Sequence, residues 1–143
     1  ALSRIPHPSA VTALCDLCFF PEETVALAAT AALASKKESE AVVTLYRRAA
    51  AKHILYPNYR LGHEAIDSLR AIGTDEAVTA LEEILALRAL WRTEKFRAMK
   101  SHALWSILKI KGERSKEILE RARRSADRSL RIEAERILGR RTP

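Results

Sequence analysis

Apolar residues recur along the chain with the spacing of helix faces. The pattern Ala-Val-x-x-Leu occurs three times, beginning at Ala10, Ala41 and Ala77, and a weaker copy begins at Ser115. Within each copy the apolar positions fall at i, i+1 and i+4, and often at i+7 or i+8, which places them on one face of a helix. The pattern therefore predicts four amphipathic helices of one kind.

A second apolar pattern lies ahead of these helices. Ala65, Leu69 and Ile72 precede the copy that begins at Ala77. The same offsets recur, completely or in part, in three further sets: Ala103, Ile107 and Ile110; Ala29 and Leu33; and Ala134 and Leu138. Lys36 stands at an offset where the complete sets have isoleucine. Each unit is thus predicted to contain a first helix followed by a second helix.

Short polar segments separate the two helices of a unit. Gly73-Thr74-Asp75 combines a glycine that ends one helix with a threonine or aspartate that caps the next. Lys111-Gly112-Glu113 is a weaker version, and Ser39 is a possible cap of another second helix. Because a hairpin of about 31–38 residues cannot bury its apolar faces alone, neighbouring hairpins must stack. The recurring alanine lets stacked helices approach closely.

Two stretches interrupt this rhythm. Residues 53–60 contain Pro57-Asn58, which is a turn signal. Residues 86–97 contain neither Gly nor Pro, so the second helix there is predicted to continue to about Trp91, with Thr93 capping the next helix.

Residues 59–85 resemble a HEAT-type repeat, in particular the short bacterial form related to the phycobilisome-lyase HEAT-like repeats. The positions that carry the resemblance are Arg60, Ala65, Leu69, Ile72, Gly73, Asp75, Ala77, Val78 and Leu81. A second copy over residues 97–119 departs from the pattern at Lys116, where valine is expected. The resemblance implies an all-α, right-handed α-α superhelix, a HEAT-like solenoid of about four helical hairpins, that binds other macromolecules.

The first recognisable pattern is a second helix, and the last is a first helix. We therefore expect residues 1–143 to be one HEAT-like domain cut from a longer bacterial protein. Half-units that serve as natural caps are the alternative, since solenoids also need capped ends.

The composition agrees with helices and excludes some classes of protein. Apolar residues make up 48% of the chain, with only four Gly and five Pro, and helix formers dominate. The longest mostly apolar run, residues 25–34, is about half of what a membrane span needs, and the first twenty residues lack a signal-peptide layout. Two cysteines do not make a disulfide scaffold. A cytoplasmic location is expected.

The net charge of +7 is concentrated in the last third of the chain. Residues 1–91 hold 9 Lys and Arg against 11 Asp and Glu, whereas residues 92–143 hold 16 against 7. The six candidate contact residues are Arg114, Lys116, Arg121, Arg124, Arg128 and Arg131. The last four have near-helical spacing if Asp127 does not break the helix. Such a row is typical of phosphate binding.

A solvated face explains the same residues equally well. Glu117–Arg121, Glu120–Arg124 and Asp127–Arg131 are acid-before-base pairs at i,i+4, and such pairs stabilise a helix by about 0.2–0.5 kcal/mol each. A surface for an acidic neighbouring domain is a third possibility.

The remaining candidate residues indicate packing more than chemistry. Cys15 and Cys18 form a CxxC inside a predicted helix, without the further ligands that a zinc site needs. The four histidines lie far apart in the sequence, and no nucleotide-binding or hydrolase motif occurs. We expect no catalytic residue, no cofactor and no metal.

Aromatic residues give a secondary candidate surface. Tyr56 and Tyr59 lie in the interrupted turn beside Arg60, whereas Trp91 and Trp105 have the spacing of core residues. The sequence therefore predicts a non-catalytic scaffold that binds another protein or domain through the second-helix surface and the basic third. A nucleic-acid-binding solenoid that uses the same arginines is the alternative.

Overall fold

The computed structural model describes residues 8–51, 59–88 and 94–139, and these form eight helices. Their bounds are α1 Pro8–Leu17, α2 Glu23–Leu33, α3 Ser39–Ala50, α4 Tyr59–Ile72, α5 Asp75–Ala86, α6 Glu94–Lys109, α7 Glu113–Arg123 and α8 Arg128–Gly139. No strand occurs in these ranges, and none of the eight helices is long and apolar enough to cross a membrane.

The helices stack in two layers. The second helices, α1, α3, α5 and α7, pack against one another in that order, and the first helices, α2, α4, α6 and α8, form the other layer. Each helix also contacts the next one along the chain. This nearest-neighbour packing is that of a solenoid, and it confirms the predicted all-α, HEAT-like architecture.

The repeated apolar positions form the core between the layers. Ala41 and Ala77 are fully buried, as are Leu45 and Leu81 four residues later. In the first-helix layer, Ala65 and Leu69 are fully buried and so are most of their counterparts, whereas Leu138 of α8 is partly buried. The predicted alignment of units is therefore confirmed by which side chains the fold removes from solvent.

The joint between α4 and α5 has the predicted chemistry. Gly73 has a φ of 65°, a left-handed conformation that costs other residues energy. Thr74 is the N-cap of α5, and its hydroxyl accepts a hydrogen bond from the Ala77 amide at 3.3 Å.

The prediction that α5 continues to about Trp91 was wrong. The helix ends at Ala86, and Leu87 adopts extended dihedral angles, φ −56° and ψ 137°. Leu87 packs against the core, so burial of its side chain outweighs the helix propensity of the residues that follow. Thr93, the predicted cap, lies outside the described residues.

Polar contacts connect successive units. Thr12 donates to Glu40 at 3.3 Å, and Ser39 donates to Glu76 at 2.8 Å, so α1, α3 and α5 are linked along the second-helix layer. Ser39 is thus the first residue of α3 and not its cap, and the N-cap residue, Glu38, makes no side-chain capping bond.

The two lysines that break the apolar pattern are accommodated differently. Lys36 is buried just after α2, with 8% of its surface exposed. Lys116 is exposed on α7 and forms an ion pair with Glu113 at 2.6 Å, while Ser115 occupies the buried position of the repeated alanine. Stacking of α7 on α5 therefore persists despite the charged residue.

Candidate functional site

A groove of about 970 Å³ runs along one edge of the solenoid, where α5, α6, α7 and α8 meet. Apolar side chains form part of its wall: Leu85, Leu87, Phe96, Ile118 and Leu130. Basic and acidic side chains form the rest, so the groove offers both apolar and charged contacts.

Two of the predicted contact arginines connect α7 to α5 through one carboxylate. Arg121 lies 2.7 Å from Glu82 Oε1, and Arg114 lies 3.4 Å from Glu82 Oε2. Arg114 also donates to the Thr79 hydroxyl at 3.4 Å. Glu82 is about three-quarters buried, with 27% of its side chain exposed, so these pairs are partly screened contacts that hold the two helices together.

The predicted row of arginines lies on two helices and not on one. Helix α7 ends at Arg123, and α8 begins at Arg128, because Asp127 caps α8. Asp127 Oδ1 accepts hydrogen bonds from the Ser129 amide at 3.0 Å and the Leu130 amide at 3.4 Å. A carboxylate here satisfies amide groups that a longer helix would have bonded internally.

The three predicted i,i+4 ion pairs do not form among the described residues. Arg121 pairs with Glu82, and Arg131 donates to the Ser125 carbonyl at 3.0 Å. Asp127 has Lys100 as its basic neighbour, at 3.8 Å. Glu120 lies 4.0 Å from Arg123 on its own helix, so contacts between helices replace only some of the predicted contacts along one helix.

Two predicted arginines remain without such contacts. The side chains of Arg124 and Arg128 are exposed, and within the described part of the chain they have neither an ion pair nor a hydrogen bond. The same holds for Arg88 and Arg97 in the groove wall. These four arginines are therefore available to a partner.

The carboxylates of the groove are mostly engaged. Glu133 accepts hydrogen bonds from Ser101 at 2.7 Å, Trp105 Nε1 at 3.1 Å and Arg136. Burial alone would raise the pKa of Glu133, but these donors hold the pKa below its usual value. Glu133 is therefore a structural anion, and the structure places Trp105 in packing between α6 and α8.

The structure describes only some of the candidate aromatic residues. Tyr59 is the first residue of α4 and is partly buried against the core. Tyr56 and Trp91 lie outside the described residues. Tyr59 thus combines a packing role with a partly accessible ring.

Both cysteines are buried, as predicted. Cys15 lies in α1, and Cys18 follows it with no exposed surface. Burial raises the pKa of both thiols. Raised values oppose the thiolate form that redox or metal chemistry requires.

A polar cluster between α4 and α6 was not predicted. The rings of His63 and His102 have their centroids 4.8 Å apart and are tilted by 34°, and His102 Nε2 lies 3.1 Å from Asp67 Oδ1. Burial and the neighbouring His102 lower the pKa of His63. Within the described ranges no group of three or more His, Cys, Asp or Glu side chains is arranged to hold a metal. The two histidines are 39 positions apart in sequence, so only the stacking register brings them together.

Comparison with known families agrees with the architecture. Residues 62–87 match the model of the PBS lyase HEAT-like repeat, which covers most of α4 and all of α5. No curated protein matches the chain.

Proposed function

Because residues 62–87 form a HEAT-like repeat within a two-layer stack, we propose that this chain is a non-catalytic scaffold that binds another protein or a neighbouring domain. HEAT-like repeats generally serve such roles, and their stacked units create extended binding surfaces. The observation that carries the proposal is the groove between α5 and α8, which combines an apolar wall with unpaired cations.

The charges of the groove favour a partner segment that carries acidic and apolar side chains. Arg88 and Arg97 line the groove without an ion pair among the described residues, whereas the carboxylates of Glu82, Asp127 and Glu133 are already engaged. An incoming carboxylate would therefore find free guanidinium groups, which bind carboxylates in a bidentate manner.

A non-catalytic role is part of the same proposal, although the matched family is named after a lyase. General acid or base catalysis needs a group whose pKa lies near the working pH. The hydrogen bonds to Glu133 shift the pKa of this groove carboxylate in the opposite direction. This supports a structural function for the groove acids.

Site-specific photo-crosslinking tests the proposal. A benzophenone amino acid replaces Ala98, which is exposed in the groove wall, and the same residue replaces Ala31, an exposed alanine of α2, as a matched control. We expect a discrete protein adduct from position 98 that position 31 does not give, and its loss when Arg97 becomes Glu. Equal labelling from both positions would contradict a specific surface at the groove.

Nucleic-acid binding is the second candidate, and the exposed, unpaired Arg124 and Arg128 favour it. Phosphate contacts make affinity fall steeply with salt, by about 0.9 in the logarithmic slope for each contact with duplex DNA. Fluorescence anisotropy with labelled single- and double-stranded oligonucleotides, at low and near-physiological salt, measures this directly. Sub-micromolar binding that collapses when both arginines become alanine would make nucleic acid the leading function. Flat traces at low salt would remove it.

A further inference from the structure

One buried position of the repeat carries a charged residue where other units carry an apolar one. The 36-residue offset that relates Ala41 to Ala77 also relates Arg48 to Ile84. Ile84 is fully buried, and Ala122, at the matching position of α7, is 5% exposed. Arg48 is 9% exposed, so a guanidinium side chain occupies a core position of the stack.

The guanidinium of Arg48 lies beside the Phe19 ring but has no ionic partner among the described residues. Its Nε atom is buried without a hydrogen bond, and within the described residues the side chain has neither an ion pair nor a hydrogen bond to another group. Burial lowers the pKa of this guanidinium, which reflects the cost of desolvating its charge. Buried polar groups in native proteins are almost always satisfied, and exceptions occur preferentially at functional sites.

The surroundings of Arg48 are more polar than the same place in the next unit. Thr30 and Thr44 are buried nearby in α2 and α3, where the offset of 36 residues gives Ile66 and Ala80 in α4 and α5. One unit of the solenoid therefore buries two hydroxyl groups and a guanidinium where its neighbour has apolar side chains at the three matching positions.

An aromatic surface lies directly beside this cation. The guanidinium carbon of Arg48 is 5.5 Å from the centre of the Phe19 ring. Phe19 and Phe20 are 47% and 48% exposed, which is high for large apolar side chains. An incoming group would thus meet a buried cation and exposed aromatic rings together, and this pairing is typical of interface hot spots.

The number of charges selects the class of anion. Arg48 carries one positive charge, and its neighbour Arg47 is exposed on a different face of α3. One guanidinium balances a carboxylate but only part of a phosphate dianion, and its Nε–H and one Nη–H match the two oxygens of a carboxylate.

We propose that Arg48, Phe19 and Phe20 form a second binding site, which receives a carboxylate side chain flanked by apolar residues on a protein partner. The site rests on the proposed scaffold function, since its natural ligand belongs to a bound protein. It lies at α1–α3, away from the groove at α5–α8, and extends the interaction surface to the N-terminal unit.

Nuclear magnetic resonance of the 143-residue chain tests the site without knowledge of the natural partner. Sodium acetate, sodium phosphate and sodium chloride are titrated at equal ionic strength while the side-chain Nε–H signals are followed. We expect acetate to shift the Arg48 signal downfield in a saturable manner, with the Arg47 signal unchanged. A larger saturable shift with phosphate, or no shift of the Arg48 signal with acetate, would overturn the assignment to a carboxylate.

Peptides and variants extend the test to a protein-like ligand. A capped peptide with one glutamate between leucines should bind about tenfold more tightly than its glutamine counterpart, because the neutral glutamine cannot form the charge-assisted hydrogen bond. Arg48→Ile should remove this preference, and Arg47→Ile, which removes a charge from the exposed neighbour, should keep it. Equal affinity of the two peptides for the unmodified chain would overturn the proposal.

One further variant keeps the outcome of the peptide test interpretable. If Arg48→Ile fails to fold, Arg48→Lys retains the charge but lacks the forked donors, and it should also lose the preference for glutamate. Because these titrations use no natural partner, their failure leaves the crosslinking result at the groove untouched. Crosslinking can likewise fail while the acetate shift persists.

Discussion

Replacing Arg48 by isoleucine should stabilise the protein. The substitution removes a guanidinium whose Nε is buried without a hydrogen bond, and it places at this position the residue that the next unit carries as the fully buried Ile84. Burial of an isoleucine side chain contributes about 1.5–3 kcal/mol, and replacement of buried ion pairs by apolar residues has gained about 1–4 kcal/mol in other proteins. The arginine stem already contributes some apolar contact, so we expect a net gain of about 1–3 kcal/mol.

The size of the chain converts this gain into a melting temperature. With about 2.1 cal/mol/K of unfolding entropy per residue, a chain of 143 residues shifts by about 3 °C for each kcal/mol. Thermal unfolding followed by circular dichroism should therefore show an increase of about 3–9 °C. Urea unfolding provides the free energy independently, and an unchanged m-value would show that the same surface unfolds.

The reciprocal change is the matched control. Ile84→Arg places an unpaired charge at the equivalent position of α5 and should lose at least about 3 kcal/mol. Arg47→Ile, on the exposed face of α3, should change stability by less than about 0.5 kcal/mol. If Arg48→Ile instead destabilises the protein by more than about 1 kcal/mol, the contact with the Phe19 ring outweighs the cost of burying the charge, and the expected gain is refuted.

Three further predictions follow from the repeat, the His cluster and the helix cap. Leu81→Ala should cost about 2–5 kcal/mol by urea unfolding, whereas Ile132→Ala, at a position that is 52% exposed, should cost less than about 0.5 kcal/mol; equal losses would contradict the assigned core. His63 has its pKa lowered from 6.5 by burial and by the adjacent His102, so the folded protein binds this proton less readily than the unfolded chain. The contribution of His63 to the free energy of unfolding should therefore be fully present above pH 6.5 and decline as the pH falls below it. His63→Phe should flatten this pH dependence between pH 7.5 and pH 5, as measured by urea unfolding at several pH values. An unchanged slope would refute this assignment. Thr74→Ala should lower the free energy of unfolding by about 1 kcal/mol through loss of the α5 cap, whereas Thr74→Ser keeps the capping hydroxyl. Equal losses for the two substitutions would argue against capping.

Local sequence patterns predicted the architecture because the residues that define each repeat lie close together in the sequence. The Ala-Val-x-x-Leu motif fixes which face of each second helix is buried, and Gly73 and Thr74 mark a joint by their backbone and capping chemistry. The layers then follow, because each hairpin needs neighbours to cover its apolar faces. These features depend on residues that lie within a few positions of one another.

Local sequence patterns did not predict the contacts between units. Arg121 was assigned a partner on its own helix, but it reaches Glu82 on α5, 39 positions earlier. His63 and His102 meet only because α4 and α6 stack in one register. The pairing of charges across a stack depends on side-chain reach and helix rotation, which a sequence pattern does not specify.

The end of α5 illustrates a competition that composition alone does not resolve. Residues 86–97 contain no helix breaker, yet the helix ends at Ala86 because Leu87 packs against the core in an extended conformation. The same end opens the edge of the solenoid where the groove lies, with Leu87 in its wall.

Hydrogen–deuterium exchange of the chain, alone and in complex with the protein captured at position 98, tests the central claim most directly. The claim is that the α5–α8 groove contacts a protein. We expect protection on binding at groove segments in α5, α6 and the α7–α8 connection, with residues on the outer side of α2 unchanged. Protection spread evenly along the solenoid, or confined to segments outside the groove, would contradict the claim.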